Sequence, residues 1–201
     1  MHIEIQGTAF LDEAKKIGAV ADQLPFIMSL SLNRAAKDTR EHLVRQTWPQ
    51  AIKQRNTAFI GRALRTKWSD KTHLSIEIYD DLGRASLKAH AEGGVKVPKG
   101  SNLAIPNTRQ GNIQLTAHGV SRGQRPSNIK GYKALDKKGN QVIYEVRGKG
   151  KGRQIRRMYL LKPKVTIKKD VPFHEDFESE MSKNIREELP IAVIDAMRTA
   201  R

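Results

Sequence analysis

The chain has 201 residues, no cysteine, 38% hydrophobic and 5% aromatic residues, and 37 Lys and Arg against 21 Asp and Glu, a net charge of +16. Disulfides and thiolate metal centres are excluded by composition, and no apolar run approaches the ~20 residues of a membrane-spanning helix. The length suits one core of ordinary size, and so lean a hydrophobic content points to stability borrowed from neighbouring subunits.

Met1–Lys16 has no cationic start followed by an apolar block, so no secretory signal is expected, and synthesis in a reducing cytoplasm suits the composition. Residues 22–47 predict an amphipathic helix. Asp22 stands at its cap and Pro25 in its first turn, where a missing N–H costs little, while Met28, Leu32, Ala35, Ala36, Thr39 and Leu43 recur at three- and four-residue steps. Trp48-Pro49 is expected to end it, because proline disfavours helix in the preceding residue. Pro49–Asn56 reads as a connection and Thr57–Thr66 as a short apolar piece, helical or extended. Thr72–Asp80 alternates, with Leu74, Ile76 and Ile78 on one side, as a half-buried strand does. Leu82–Gly94 reads as a short helix closed by Gly93 and Gly94, and Val95–Pro106 as two extended pieces around Pro98-Lys99-Gly100.

A polar stretch rich in Gly, Asn, Ser and Arg follows at 107–130 and is expected to be a loop insertion. Asn140–Gly148 and Met158–Lys169 read as strands flanking a cationic loop, with Pro163 at an edge or bend. Residues 172–200 predict a second long helix striped by Phe173, Phe177, Met181, Ile185, Leu189 and Val193, which Pro190 should kink or split. The sum is a single α+β domain over 1–201: an antiparallel sheet drawn from 57–106 and 131–169, covered by an N-terminal and a C-terminal amphipathic helix, with a long basic loop insertion.

Catalytic chemistry is not legible. His42, His73, His118 and His174 have no metal-ligand spacing and read as surface or packing residues. Asp80 and Asp81 form an acidic pair of the kind that ligates Mg²⁺ in a nuclease, but a pair at a strand end is more often a turn. The glycines and lysines of Gly148–Gly152 lack the spacing of a phosphate-binding loop, and no nucleophile elbow occurs. No catalytic residue, metal or cofactor is expected, and the chain reads as a non-enzyme.

The charge is the informative feature. Arg109–Lys169 holds 17 basic residues and two acids, Asp136 and Glu145, whereas the remainder holds 20 basic and 19 acidic. Such a one-sided field attracts nucleic acid or an acidic protein surface. The residues expected to make those contacts are Arg147, Lys149, Lys151, Arg153, Arg156 and Arg157 of the cationic loop, with Arg122, Arg125, Lys137 and Lys138 nearby. Tyr132, Tyr144 and Tyr159 accompany them but are too few to argue a base-stacking platform, so contact through phosphates is the expectation.

In the order of its pieces the chain resembles the tail-completion and minor tail protein Z families of lambda-like tailed bacteriophages and prophages. The resemblance is carried by Leu32–Ala36 in the first helix, by His90, Gly93, Gly94, Pro98, Leu103, Ile105 and Pro106, and by Tyr159–Val165. It departs most between Asn107 and Ile129. It implies a structural virion protein at the head-proximal end of the tail, made in the host bacterial cytoplasm. The partners it implies are other tail and neck proteins: the tail terminator, the tail tube and the head–tail connector. It also implies a homo-oligomeric ring close to the genome end, with no enzyme activity, no cofactor and no membrane. A sequence-nonspecific nucleic-acid-binding protein is the alternative reading, and a nuclease-type toxin built on Asp80 and Asp81 a third.

Overall fold

The computed structural model describes residues 2–6, 23–83, 87–109 and 111–199. The fold is α+β and its strand pairing antiparallel, as expected, but the strands of 57–106 and 131–169 divide among separate sheets and do not form one. The sequence predicts one domain, whereas the folded chain gathers into two compact units: Met1–Glu92 with Lys169–Arg201, here the helical unit, and Gly93–Lys168, the basic unit.

The helical unit is organised by two antiparallel helices, α1 (Leu24–His42) and α4 (Phe173–Thr199). The expected cap, Asp22, lies outside the described residues. The stripe Met28, Leu32, Ala35, Ala36, Thr39 and Leu43 is buried throughout, and so is the stripe Phe173, Phe177, Met181, Ile185, Leu189 and Val193. Small residues at 35 and 36 let the helices approach, and the seam is tied by polar contacts along its length. Thr47 Oγ1 donates to Asp176 Oδ2 at 2.5 Å, Asn184 Nδ2 donates to Thr39 Oγ1 at 3.0 Å, and Arg34 Nη2 reaches Asp195 Oδ2 at 2.8 Å.

The expectation that Trp48-Pro49 ends the first helix is corrected, and of the two outcomes expected at Pro190, a kink or a split, the split does not occur. The first helix does not stop at Trp48: it widens into a π-helical segment at Leu43–Thr47, where the Trp48 N–H reaches Leu43 O, and then makes one more helical turn, Trp48–Ala51. Widening the turn moves the hydrogen-bond register around Pro49, which has no N–H to give. Pro190 does not split α4 either, since the helix is continuous across it. Its ring is exposed while Leu189, Ala192 and Val193 pack against Ile27 and Met28, so packing on one face outweighs the missing bond on the other.

Against this pair lies a sheet of order β1-β3-β2, formed by β1 (His2–Gln6), β2 (Leu64–Lys67) and β3 (Ser75–Asp80). Ile76 and Ile78 enter the helical core as their alternation requires. Strand β1 carries no expectation from the sequence. Two short helices complete the unit: α2 (Ala58–Ala63), so that the undecided segment is helical first and then extended into β2, and α3 (Leu87–Glu92). The Leu32–Ala36 stretch now has a physical account. Leu32, Ala35 and Ala36 are core, Arg34 pairs with α4, and Asn33 brackets the backbone of Ser69, accepting from its N–H at 2.9 Å and donating to its carbonyl at 3.0 Å.

The basic unit is built on a four-stranded sheet of order β5-β10-β9-β8, from β5 (Leu103–Pro106), β8 (Gly131–Leu135), β9 (Gln141–Arg147) and β10 (Gln154–Lys162). Strands β4 (Gly94–Lys96) and β11 (Val165–Ile167) form a separate two-stranded ribbon, so the two extended pieces around Pro98 pair with different partners. The expected loop insertion is partly structured: it holds a small hairpin, β6 (Leu115–Thr116) with β7 (Gly119–Val120), and two 3₁₀ turns. Its Ile113, Leu115, Val120 and Ile129 pack on Ile143, Met158, Tyr159 and Leu161 to make the unit's own core.

Candidate polyanion interface

The cationic loop is the tip of the β9–β10 hairpin. Gly148 sits at φ 78° and Gly150 at φ 58°, conformations that favour glycine, and a 3₁₀ turn at Gly150–Gly152 brings the chain back to Gln154. At Gly148 a β-carbon would also stand 2.6 Å from the Gly152 carbonyl oxygen, so the glycine is required twice over. Arg147, Lys149, Lys151 and Arg153 are all exposed. Arg147 Nε pairs with Glu145 Oε2 at 2.8 Å, whereas Lys149, Lys151 and Arg153 have no ion pair among the described residues.

Arg156 and Arg157 are neighbours in sequence and diverge in space. The register places Arg156 opposite Glu145 and Arg157 opposite Tyr144, on opposite faces, and a β-bulge after Arg157 then turns both Met158 and Tyr159 into the core. Arg157 Nη2 lies 3.3 Å from Asp136 Oδ2. The Asp136 carboxyl also accepts the backbone N–H groups of Asn140 and Lys138, each at 2.9 Å. The Asn140 N–H, with the Lys138 N–H and the Arg157 charge assisting, holds that carboxyl below the usual carboxylate range. Both acids of the basic unit are thus engaged by arginines of the same unit.

The ten expected contact residues do not form one cluster. Lys137 and Lys138 are exposed on the β8–β9 turn, at the opposite end of β9 from the tip, about 20 Å away for a strand of that length. Arg122 is exposed on the first 3₁₀ turn of the insertion and Arg125 between the two turns, over the face that holds the core. The result is a unit charged on several sides. By sequence it carries 18 Lys and Arg against two acids, while the helical unit has 19 of each.

The tyrosines divide between the two faces. Tyr159 is buried, and its hydroxyl donates to Gln124 O at 2.8 Å, fastening the insertion to the sheet; burial raises its pKa and keeps it a donor. Tyr132 and Tyr144 are cross-strand partners that stack with ring centroids 5.5 Å apart and planes at 26°. Sequence reasoning misses that pair. The strand read at Asn140–Gly148 carries Tyr144, but Gly131–Leu135 has no strand reading of its own, and only the register sets Tyr132 opposite Tyr144.

Of the other candidates, Asp80 accepts the N–H groups of Leu82 and Gly83 as a turn aspartate does, and Asp81 pairs with Arg65 at 3.6 Å. His42 faces Glu180 and His174 faces Glu92, at 3.8 and 3.7 Å. Among the described residues no group of three or more His, Cys, Asp or Glu is arranged to hold a metal. Comparison with protein-family models, with curated proteins and with solved structures finds no match for this chain.

Proposed function

We propose that this is a structural protein of a tailed-phage virion, placed at the head-proximal end of the tail in tail completion and head–tail joining, with its basic unit turned toward DNA or an acidic ring partner. The observation that carries the reading is the segregation of charge. The whole formal excess of +16 falls in one compact unit and the other is neutral. The two acids in the basic unit are already engaged by Arg157 and Arg147, and the remaining cations of the unit make no ion pair among the described residues. A surface so charged repels copies of itself unless a polyanion or an acidic neighbour sits against it.

A second feature supports assembly into a multimer. The last turns of α4 carry apolar residues on their outer side as well as their inner one: Ala192, Val193 and Ala196 are buried within the chain, while Ile191, Ile194 and Met197 are 47 to 57% exposed. Three large apolar side chains left exposed one helical turn apart, at 191, 194 and 197, suit burial against a neighbour in a larger assembly. The same charge segregation favours the second reading, a sequence-nonspecific nucleic-acid-binding protein that acts alone.

The test is the mass of the purified chain in solution at low and high salt, with and without short duplex DNA. A discrete multimer, or a monomer that assembles only onto isolated tails, fits the virion reading. A stable monomer that coats DNA and releases it as salt rises fits the second.

A further inference from the structure

Resting on the polyanion reading of the basic unit, we infer that the sheet face carrying Tyr132, Tyr144 and Arg157 is a binding site for single-stranded nucleic acid. The register sets these three residues in one cross-strand row, Tyr132 opposite Tyr144 and Tyr144 opposite Arg157. Tyr144 stacks on Tyr132, and because β8 is the edge of the sheet no further strand among the described residues flanks Tyr132, which remains 42% exposed. An exposed ring already held flat by a second ring is a preformed stacking surface, ordered before any base arrives.

The row continues beyond Arg157. A groove of about 550 Å³ is lined by Ile105, Pro106 and Leu160 together with Thr108, Arg109 and Arg157. That is room for a nucleotide, with apolar walls for a base and two guanidinium groups for its phosphate. Arg157 belongs to both the aromatic row and the groove, and Asp136 fixes it there at 3.3 Å. Stacking ring, anchored cation and nucleotide-sized groove follow one another on one surface, and Lys130, exposed just before β8, adds charge at its margin.

This arrangement selects unpaired bases. In a duplex the base faces are stacked on one another and cannot reach Tyr132, so a duplex would engage only the cations. An acidic protein segment would likewise use the arginines and leave the stacked tyrosines without a role.

The test compares the affinities of the full chain for labelled oligothymidylate and for a labelled duplex of the same length, at one salt concentration. The expected result is that Tyr132→Ala weakens binding of the single strand about tenfold and leaves the duplex unchanged, while Tyr132→Phe restores it. Arg109→Gln weakens the single strand more than the duplex. Equal wild-type affinities with no effect of Tyr132→Ala overturn the inference and leave the polyanion reading intact. Binding of polyglutamate with no binding of either nucleic acid overturns it in favour of a protein partner, and binding of none of the three probes overturns both readings.

Discussion

His90 Nδ1 lies 2.7 Å from Asp170 Oδ1, and these two residues stand just before and just after the stretch that forms the basic unit. The backbone repeats the link, since the N–H groups of Asp170 and Val171 both donate to the His90 carbonyl. The imidazole also meets Trp48 in a perpendicular, edge-to-face contact, and Trp48 stacks on Phe173, with ring centroids 5.9 Å apart in each case. The helical unit is therefore closed at the place where the chain leaves and returns. Replacing His90 by Ala is expected to lower stability by about 1–2 kcal/mol, because it removes both the side-chain hydrogen bond and the packing against the indole. Urea denaturation measures it, and an unchanged midpoint would mean that the backbone link alone closes the unit.

The α1–α4 seam should dominate stability. Phe177→Ala, at a position 1% exposed, is expected to cost about 3–5 kcal/mol, and Met181→Ala about 2–5 kcal/mol. Pro190→Ala has the opposite sign. It returns a backbone donor to an exposed helical position and should raise the thermal midpoint.

Asp70 and Asp136, two of the carboxylates held low in the fold, make part of its stability acid-sensitive. Asp70 is held at about 2, well below its ordinary 3.8, chiefly by the Thr72 hydroxyl and then by the N–H groups of His73 and Thr72. Asp136 is lowered in the same direction by the Asn140 N–H first. With folded-state values below unfolded ones, each contributes stability fully above the ordinary carboxylate range and loses it as pH falls through its folded value. Carboxyl-resolved NMR titration should show both titrating below the ordinary value, and Asp136→Asn should remove the contribution from the β8–β9 turn.

Gly131 governs where Tyr132 sits. A β-carbon there would fall 1.7 Å from the Tyr144 carbonyl oxygen, a backbone atom that cannot yield without moving β9. Gly131→Ala should therefore displace β8, unstack the tyrosines and cost about 1–3 kcal/mol. Disappearance of the cross-strand Tyr132–Tyr144 proximity from NMR spectra checks it.

What could be read from the sequence was what periodicity encodes. The stripes from Met28 to Leu43 and from Phe173 to Val193 are buried as their spacing demands, and so are Ile76 and Ile78. What could not be read depends on pairing between distant segments. The polar stretch after Asn107 gives no strand signal, yet its scattered Ile113, Leu115 and Ile129 are enough to cover Met158 and Tyr159. Arg156 and Arg157 look equivalent in the sequence, and only the register with β9 and the bulge at Met158 send them to opposite faces, one of them to Asp136. The prolines mislead because their local cost is offset by packing at Pro190 and avoided by the π-helical register at Pro49. The cationic residues are legible individually, but their division between the hairpin tip and the far turn needs the sheet.

If the outward cations of the basic unit engage a polyanion, the salt dependence of DNA binding must report it. The affinity of the full chain for duplex DNA should fall linearly on a log–log plot against salt. Replacing Lys149, Lys151 and Arg153 together by Gln should reduce the magnitude of that slope by about 2–3, at about 0.9 for each phosphate left unneutralised, with the fold unchanged. A slope identical to the wild type would show that the hairpin tip touches no phosphate. A wild-type chain whose binding ignores salt would refute polyanion engagement by this unit altogether.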